Sequence, residues 1–170
     1  MKVYADNGAT TKLNKEAYEV MCEVAQKVYG NPSSLHSIGR IASNEIEKAR
    51  LTIARILKCK PCEIIFTSGG TESNNLAIMN SVMTSLERFR RPHIITTMIE
   101  HPSVYNMFKR LESIIDVDYI YPDKHGHIFL KQVKEAIKDN TTFVCIMYAN
   151  NELGSINDIE MIGEFCKRNN

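Results

Sequence analysis

From residue 64 onward, short apolar runs alternate with longer stretches in which apolar residues recur at steps of three and four, and this alternation constrains the fold most. The apolar runs are Ile64–Thr67, His93–Thr97, Val117–Tyr121 and Thr142–Tyr148. Their length and their β-branched and aromatic content mark them as strands. Between them lie helical stretches: Thr71–Leu86, with Leu76, Ala77, Met79, Val82, Met83 and Leu86 as its apolar positions; Pro102 to about Glu112; Leu130–Lys138; and Asn157–Arg168. Parallel neighbours need a crossover of a dozen or more residues, whereas antiparallel ones need only a tight turn. Strands separated by helices therefore imply βαβ units and a mostly parallel sheet flanked by helices, a three-layer αβα arrangement. Thr142–Tyr148, continuously apolar, is expected to be buried on both faces.

The first 60 residues are of another kind. Asp6-Asn7-Gly8-Ala9-Thr10-Thr11 is polar and turn-rich and reads as an arm. Asn14 offers a helix cap, and Leu13, Ala17, Val20, Met21, Val24, Ala25 and Val28 make one apolar stripe. Gly30-Asn31-Pro32-Ser33-Ser34 interrupts the pattern, which resumes from about Ser37 to Lys58 with Ile38, Ile41, Ala42, Ile46, Ala49, Ile53, Ala54 and Leu57. The expected organisation is an arm with helices over 1–60 and an α/β region over 61–170.

With 44% apolar and 24% charged residues, the chain can bury a sizeable core, and its net charge of +1 makes no electrostatic case for nucleic acid. No apolar run is long enough to span a membrane, and the acid at Asp6 breaks any signal-peptide pattern, so the expected compartment is the cytoplasm. Five cysteines without framework spacing suit reduced thiols. Cys59-Lys60-Pro61-Cys62 lies between a helix end and a strand start, not at the helix start a redox pair uses, and is only half a zinc site. Cys145 and Cys166 fall on apolar patterns as core residues, and His125-Gly126-His127 reads as a surface turn.

In open α/β sheets, ligands bind beyond the carboxyl ends of the strands. Three such ends carry unusual polar groups: Ser68-Gly69-Gly70-Thr71, Glu100-His101-Pro102-Ser103, and Asn150-Asn151-Glu152. Two glycines before a helix, with Thr71 as the expected N-cap, form a candidate phosphate grip, because the first helical turn has free N–H groups and the positive end of the dipole. A plain strand-to-helix connection is the competing reading. Likewise His101 reads either as a ligand-facing imidazole or as a helix cap, and Asn150-Asn151 as ligand contacts or as a turn pair using left-handed backbone angles. Glu152 reads as structural. The phosphate loop ending in Gly-Lys-Ser/Thr and the dinucleotide-binding glycine fingerprint are both absent from the sequence.

Taken together and in order, Asp6–Thr11, Gly30–His36, Phe66–Asn75, Glu100-His101 and Asn150–Gly154 resemble the cysteine desulfurases of the NifS/IscS type, class-V aminotransferase-like proteins of PLP fold type I. The resemblance implies pyridoxal 5'-phosphate (PLP) as cofactor, Gly70 and Thr71 on its phosphate, His101 stacked on its ring and assisting proton transfers, and Asn151 beside its phenolic oxygen and the substrate carboxylate. It also implies free L-cysteine as substrate, with sulfur moving to an enzyme thiolate as a persulfide, alanine released, and the sulfur passing to iron–sulfur assembly or another acceptor protein. The family's Schiff-base lysine, the aspartate on the pyridinium nitrogen and the persulfide cysteine fall beyond the matched segments. The expectation is therefore the first half of the cofactor domain, binding PLP non-covalently at most and inactive alone, as a homodimer or with a complementing second chain. A non-catalytic binding or dimerisation module with a retained phosphate cradle, or another class-V lyase, are the alternatives.

Overall fold

The computed structural model describes residues 1–169 and divides into two compact units, Met1–Phe66 and Thr67 onward.

The first unit holds α1 (Lys15–Lys27) and α2 (Ser37–Leu57), followed by a single 3-10 turn at Pro61–Glu63. Asn14 caps α1 as its position suggests, its Oδ1 accepting from the N–H groups of Glu16 (2.8 Å) and Ala17 (3.2 Å). His36 does the same for α2, Nδ1 accepting from Gly39 N–H at 3.2 Å. The Gly30–Ser34 loop folds so closely against the start of α2 that a Cβ on Gly39 would lie 2.7 Å from Asn31 O. No residue of α1 is buried, and Val20, Val24, Ile46 and Phe66 line a wide apolar groove within this unit.

Ile64–Thr67, read from sequence as a strand, is extended but pairs with no strand among the described residues. A strand exists only through a neighbour's hydrogen bonds. Here the Arg50 guanidinium donates to Ile64 O and lies 5.0 Å from the centre of the Phe66 ring, while Ile65 stays 68% exposed.

The second unit contains the sheet. Its elements are α3 (Gly70–Leu86), β1 (His93–Thr97), α4 (Pro102–Leu111), β2 (Asp116–Ile120), α5 (Leu130–Ala136), β3 (Thr141–Val144) and α6 (Ile159–Arg168). The strands run parallel in the order β2-β1-β3. Alternation along β1 sends Ile94 and Ile95 to opposite faces, each 0% exposed. On one face Ile94 packs with Ile78 and Val82 of α3, Val104, Phe108 and Leu111 of α4, and Ile115. On the other, Ile95 packs with Ile120, Ile128, Val133 of α5 and Ile162 of α6. This is the expected three-layer αβα arrangement.

Two details differ from expectation. The core-facing residues of α3 are Ile78, Val82 and Ser85, while Leu76, Met79 and Met83 are exposed. This helix is apolar on more than one side, so periodicity alone could not choose its inner face. The last strand is shorter than Thr142–Tyr148 and only half-buried, because it pairs with β1 on one side and with no strand on the other among the described residues. Cys145 continues the pairing by donating its N–H to Ile95 O at 2.8 Å, and burial pushes its thiol up to about 12.

Candidate functional site

The helix starts at Gly70, one residue before the expected stretch, and its cap lies two residues before the expected one. Gly69, not Thr71, is the N-cap, and Thr71 sits within the first turn. Glu72 reaches back, its Oε2 accepting from the Ser68 N–H at 2.6 Å and from the Ser68 hydroxyl at 2.5 Å. Those hydrogen bonds hold its carboxyl below the usual range. Thr67 Oγ1 donates to Gly69 O (3.1 Å) and lies 2.6 Å from Ser73 Oγ. The backbone bond from Ser73 N–H to Gly69 O is the first of the helix, which leaves the N–H groups of Gly70, Thr71 and Glu72 without an acceptor among the described residues. A Cβ added to Gly69 or Gly70 would meet nothing within 4 Å. Three free donors thus sit at the positive end of a 17-residue helix, beside two residues whose missing side chains leave open space.

His101 caps α4. Its Nδ1 accepts from Ser103 N–H at 3.1 Å and lies 2.8 Å from Ser103 Oγ, with Pro102 in the first turn as the sequence suggests. Capping leaves the ring exposed. His101 and Thr71 line one cleft of about 340 Å³ together with Asn75, Ser103, Asn106 and Arg110. The buried Oδ1 of Asn75 has no partner among the described residues.

The Asn150-Asn151 pair divides its labour. Asn150 is buried and organises the loop: its Oδ1 accepts from Glu152 N–H (2.9 Å) and Leu153 N–H (2.8 Å), and its Nδ2 donates to Ile99 O (3.0 Å). Asn151 is exposed at the turn, outside the lining of the Thr71–His101 cleft. Neither asparagine adopts a positive φ, so the left-handed turn reading does not hold.

Glu100 ties the two rims together. Buried at 9% exposure, it accepts through Oε1 from the Thr97 hydroxyl (2.7 Å) and from Met147 N–H (2.8 Å). Burial raises its carboxyl above the usual range against the opposing effect of those donors. Asn157 adds a second tie, its Nδ2 donating to Met147 O and its Oδ1 accepting from Ile128 N–H. The structure therefore brings Thr71 and His101 to one cleft, places Gly70 in the free-donor turn beside Thr71, and sets Asn151 on a loop anchored two residues before His101. Sequence reasoning gave no role to Asn75, Asn106 and Arg110 of the cleft, to Asn74, which donates to Ser103 Oγ, or to Asn150 and Glu100 as braces. The legible signal was the set of polar groups just past strand ends, among them Glu100, three residues after β1, and Asn150.

A parallel α/β sheet, with free helix-start donors and an imidazole beyond the carboxyl ends of its strands, defines an open α/β protein with a candidate anion site at that rim. The aminotransferase class-V family model matches residues 3–170, and the chain belongs to that family. It is 42% identical over 167 residues to the putative cysteine desulfurase IscS 1 of Bacillus subtilis, covering 98% of this chain and 44% of that protein. Against the cysteine desulfurase IscS of Methanosarcina thermophila it is 41% identical over 168 residues, covering 98% and 41%. A NifS-like protein of known structure superposes with a TM-score of 0.92 at 38% identity, covering all of this chain and 46% of the other. A structure described as SspA in complex with cysteine gives 0.91 at 41% identity, covering 98% and 48%. The fold is that of the α/β domain of PLP fold type I proteins, and the chain spans less than half the length of these relatives.

Proposed function

We propose that this chain supplies the phosphate-holding and ring-facing part of a PLP-dependent cysteine desulfurase. The observation that carries this reading is the group of three unpartnered N–H donors at Gly70, Thr71 and Glu72, beside the open space at Gly69 and Gly70, on the helix that shares a cleft with His101. The donor set fits a phosphate: several N–H groups, a helix dipole, and glycines that let an anion approach the backbone. When bound, PLP withdraws electrons from the substrate's reacting carbon.

The rest of the proposal concerns this chain's own groups. Gly70 and Thr71 hold the phosphate and fix the cofactor's position. His101 lies against the ring. Asn151, left free by the anchoring of Asn150, offers its carboxamide to the cofactor's phenolic oxygen and to the carboxylate of L-cysteine. The Schiff-base lysine and the persulfide-forming cysteine are assigned to no residue of this chain. In the whole protein, sulfur leaves as a persulfide for an iron–sulfur scaffold or another acceptor, and the working assembly is a cytoplasmic homodimer or a complex with a complementing chain. The described residues contain no helix long and apolar enough to cross a membrane.

Titration of the chain with PLP, followed by visible absorbance and then dialysis, tests this. Saturable and dialysable binding is expected, with no label fixed by borohydride. Gly70→Ala, whose methyl meets nothing in the protein, should leave the unfolding midpoint unchanged. The methyl should hold the phosphate off the Gly70 N–H and so weaken PLP by about tenfold or more, on the scale of one hydrogen bond to a charged group. Equal affinity for PLP and pyridoxal would refute the phosphate assignment.

A further inference from the structure

The hydrogen bonds around His101 determine which of its nitrogens carries the proton. A backbone N–H can only donate, so the Ser103 N–H at 3.1 Å makes Nδ1 an acceptor. Ser103 Oγ, 2.8 Å from the same nitrogen, must then donate its proton to it. Having given its only proton to the ring, that oxygen is left as an acceptor, and Asn74 Nδ2 fills it at 2.8 Å from the first turns of α3. The chain of donation runs one way, from Asn74 to Ser103 to His101, and the backbone N–H at its end fixes the direction. The neutral ring therefore carries its proton on Nε2, the nitrogen that the cap leaves free.

We infer that Asn74 and Ser103 are positioning residues that hold His101 as the Nε2–H tautomer, so that the imidazole meets a ligand as a hydrogen-bond donor and not as a base. The application to PLP rests on the reading above, while the tautomer itself does not. In the cleft the donor edge suits an anionic oxygen of cofactor or substrate, and a base for proton removal must come from elsewhere. The relay also couples two parts of the site: α3, which carries the phosphate donors, holds through Asn74 the hydroxyl that orients the ring on α4.

The test is a long-range proton–nitrogen correlation spectrum of the full chain labelled with 15N-histidine, recorded without ligand at a pH where the ring is neutral, with His101 assigned by loss of its signals in His101→Gln. A pyridine-type Nδ1 and a pyrrole-type Nε2 are expected, and the reverse pattern overturns the inference. Ser103→Ala and Asn74→Ala should each lower the Nε2–H to Nδ1–H ratio about two- to tenfold, the worth of one hydrogen bond. Ser103→Thr, which keeps the hydroxyl, should restore it. An unchanged ratio in both alanine variants removes these side chains from the role. PLP added in a separate arm should shift the His101 Nε2–H resonance. Absence of binding with the tautomer intact would count against the cofactor reading alone, and binding that leaves this resonance unmoved would overturn the donor role.

Discussion

Glu100 offers the sharpest test of how the rim is held. Replacing it by alanine removes the acceptor for two donors, the Thr97 hydroxyl at 2.7 Å and the Met147 N–H at 2.8 Å. An unsatisfied buried donor costs about 1–3 kcal/mol. Thr97 is fully buried, so its hydroxyl should cost about 2 kcal/mol, while Met147 is half-buried and should cost about 1 kcal/mol. Glu100→Ala should therefore lose about 3 kcal/mol in urea unfolding followed by far-ultraviolet circular dichroism. Glu100→Gln keeps an Oε1 acceptor for both donors and carries no charge to bury, so it should stay within about 1 kcal/mol of the parent at pH 7. The pH dependence adds a second signature. Burial raises the folded-state pKa of Glu100, so the folded chain binds its proton more tightly than the unfolded chain. Its contribution is full below the unfolded carboxyl pKa and is lost as pH rises through the folded value, a slope that Glu100→Gln should abolish. A glutamine variant as unstable as the alanine variant at pH 7, or an alanine variant indistinguishable from the parent, would refute the two-donor account.

Other perturbations probe separate parts. Gly39→Ala places a methyl 2.7 Å from Asn31 O and should cost about 1–3 kcal/mol, with the loss confined to exchange protection of α2 and the Gly30–Ser34 loop; protection unchanged in that region would contradict the close packing. His93 is 0% exposed, and its pKa is lowered first by burial and then by Lys138, with Asp118 and Asp116 opposing. The unfolded chain thus binds this proton more tightly, and the His93 contribution should be present above about pH 6.5 and fall away as pH drops from there through the folded value. Urea midpoints measured from pH 7.5 to 5 in parent and His93→Gln should diverge accordingly, and parallel curves would sink the assignment.

The sheet was legible because each apolar run and helical stripe carried its own period: β1 falls at the expected residues, α1, α2 and α4 keep their expected starts, and Asn14 caps α1 as expected. What failed depended on neighbours. Whether Ile64–Thr67 is a strand, and whether β3 is buried on both faces, is decided by a partner strand and not by local composition. In the site, the glycines and His101 stood out by residue type. Asn74 and Ser103, 29 positions apart, met only because α3 and α4 pack on one face of the sheet. Glu100 and Met147, 47 apart, met because β1 and β3 are adjacent. No local pattern encodes such pairs.

These separations also set an order in time. Every residue lining the Thr71–His101 cleft lies between positions 71 and 110, so that wall is complete in the chain once α4 has been synthesised. Glu100 must then wait until Met147 emerges and β3 docks beside β1. During that interval it is a carboxyl group beside a half-built apolar layer, lacking one of its two donors. The lag is governed by closure of a long loop, which makes this contact among the last to form and exposes the rim to water until it does.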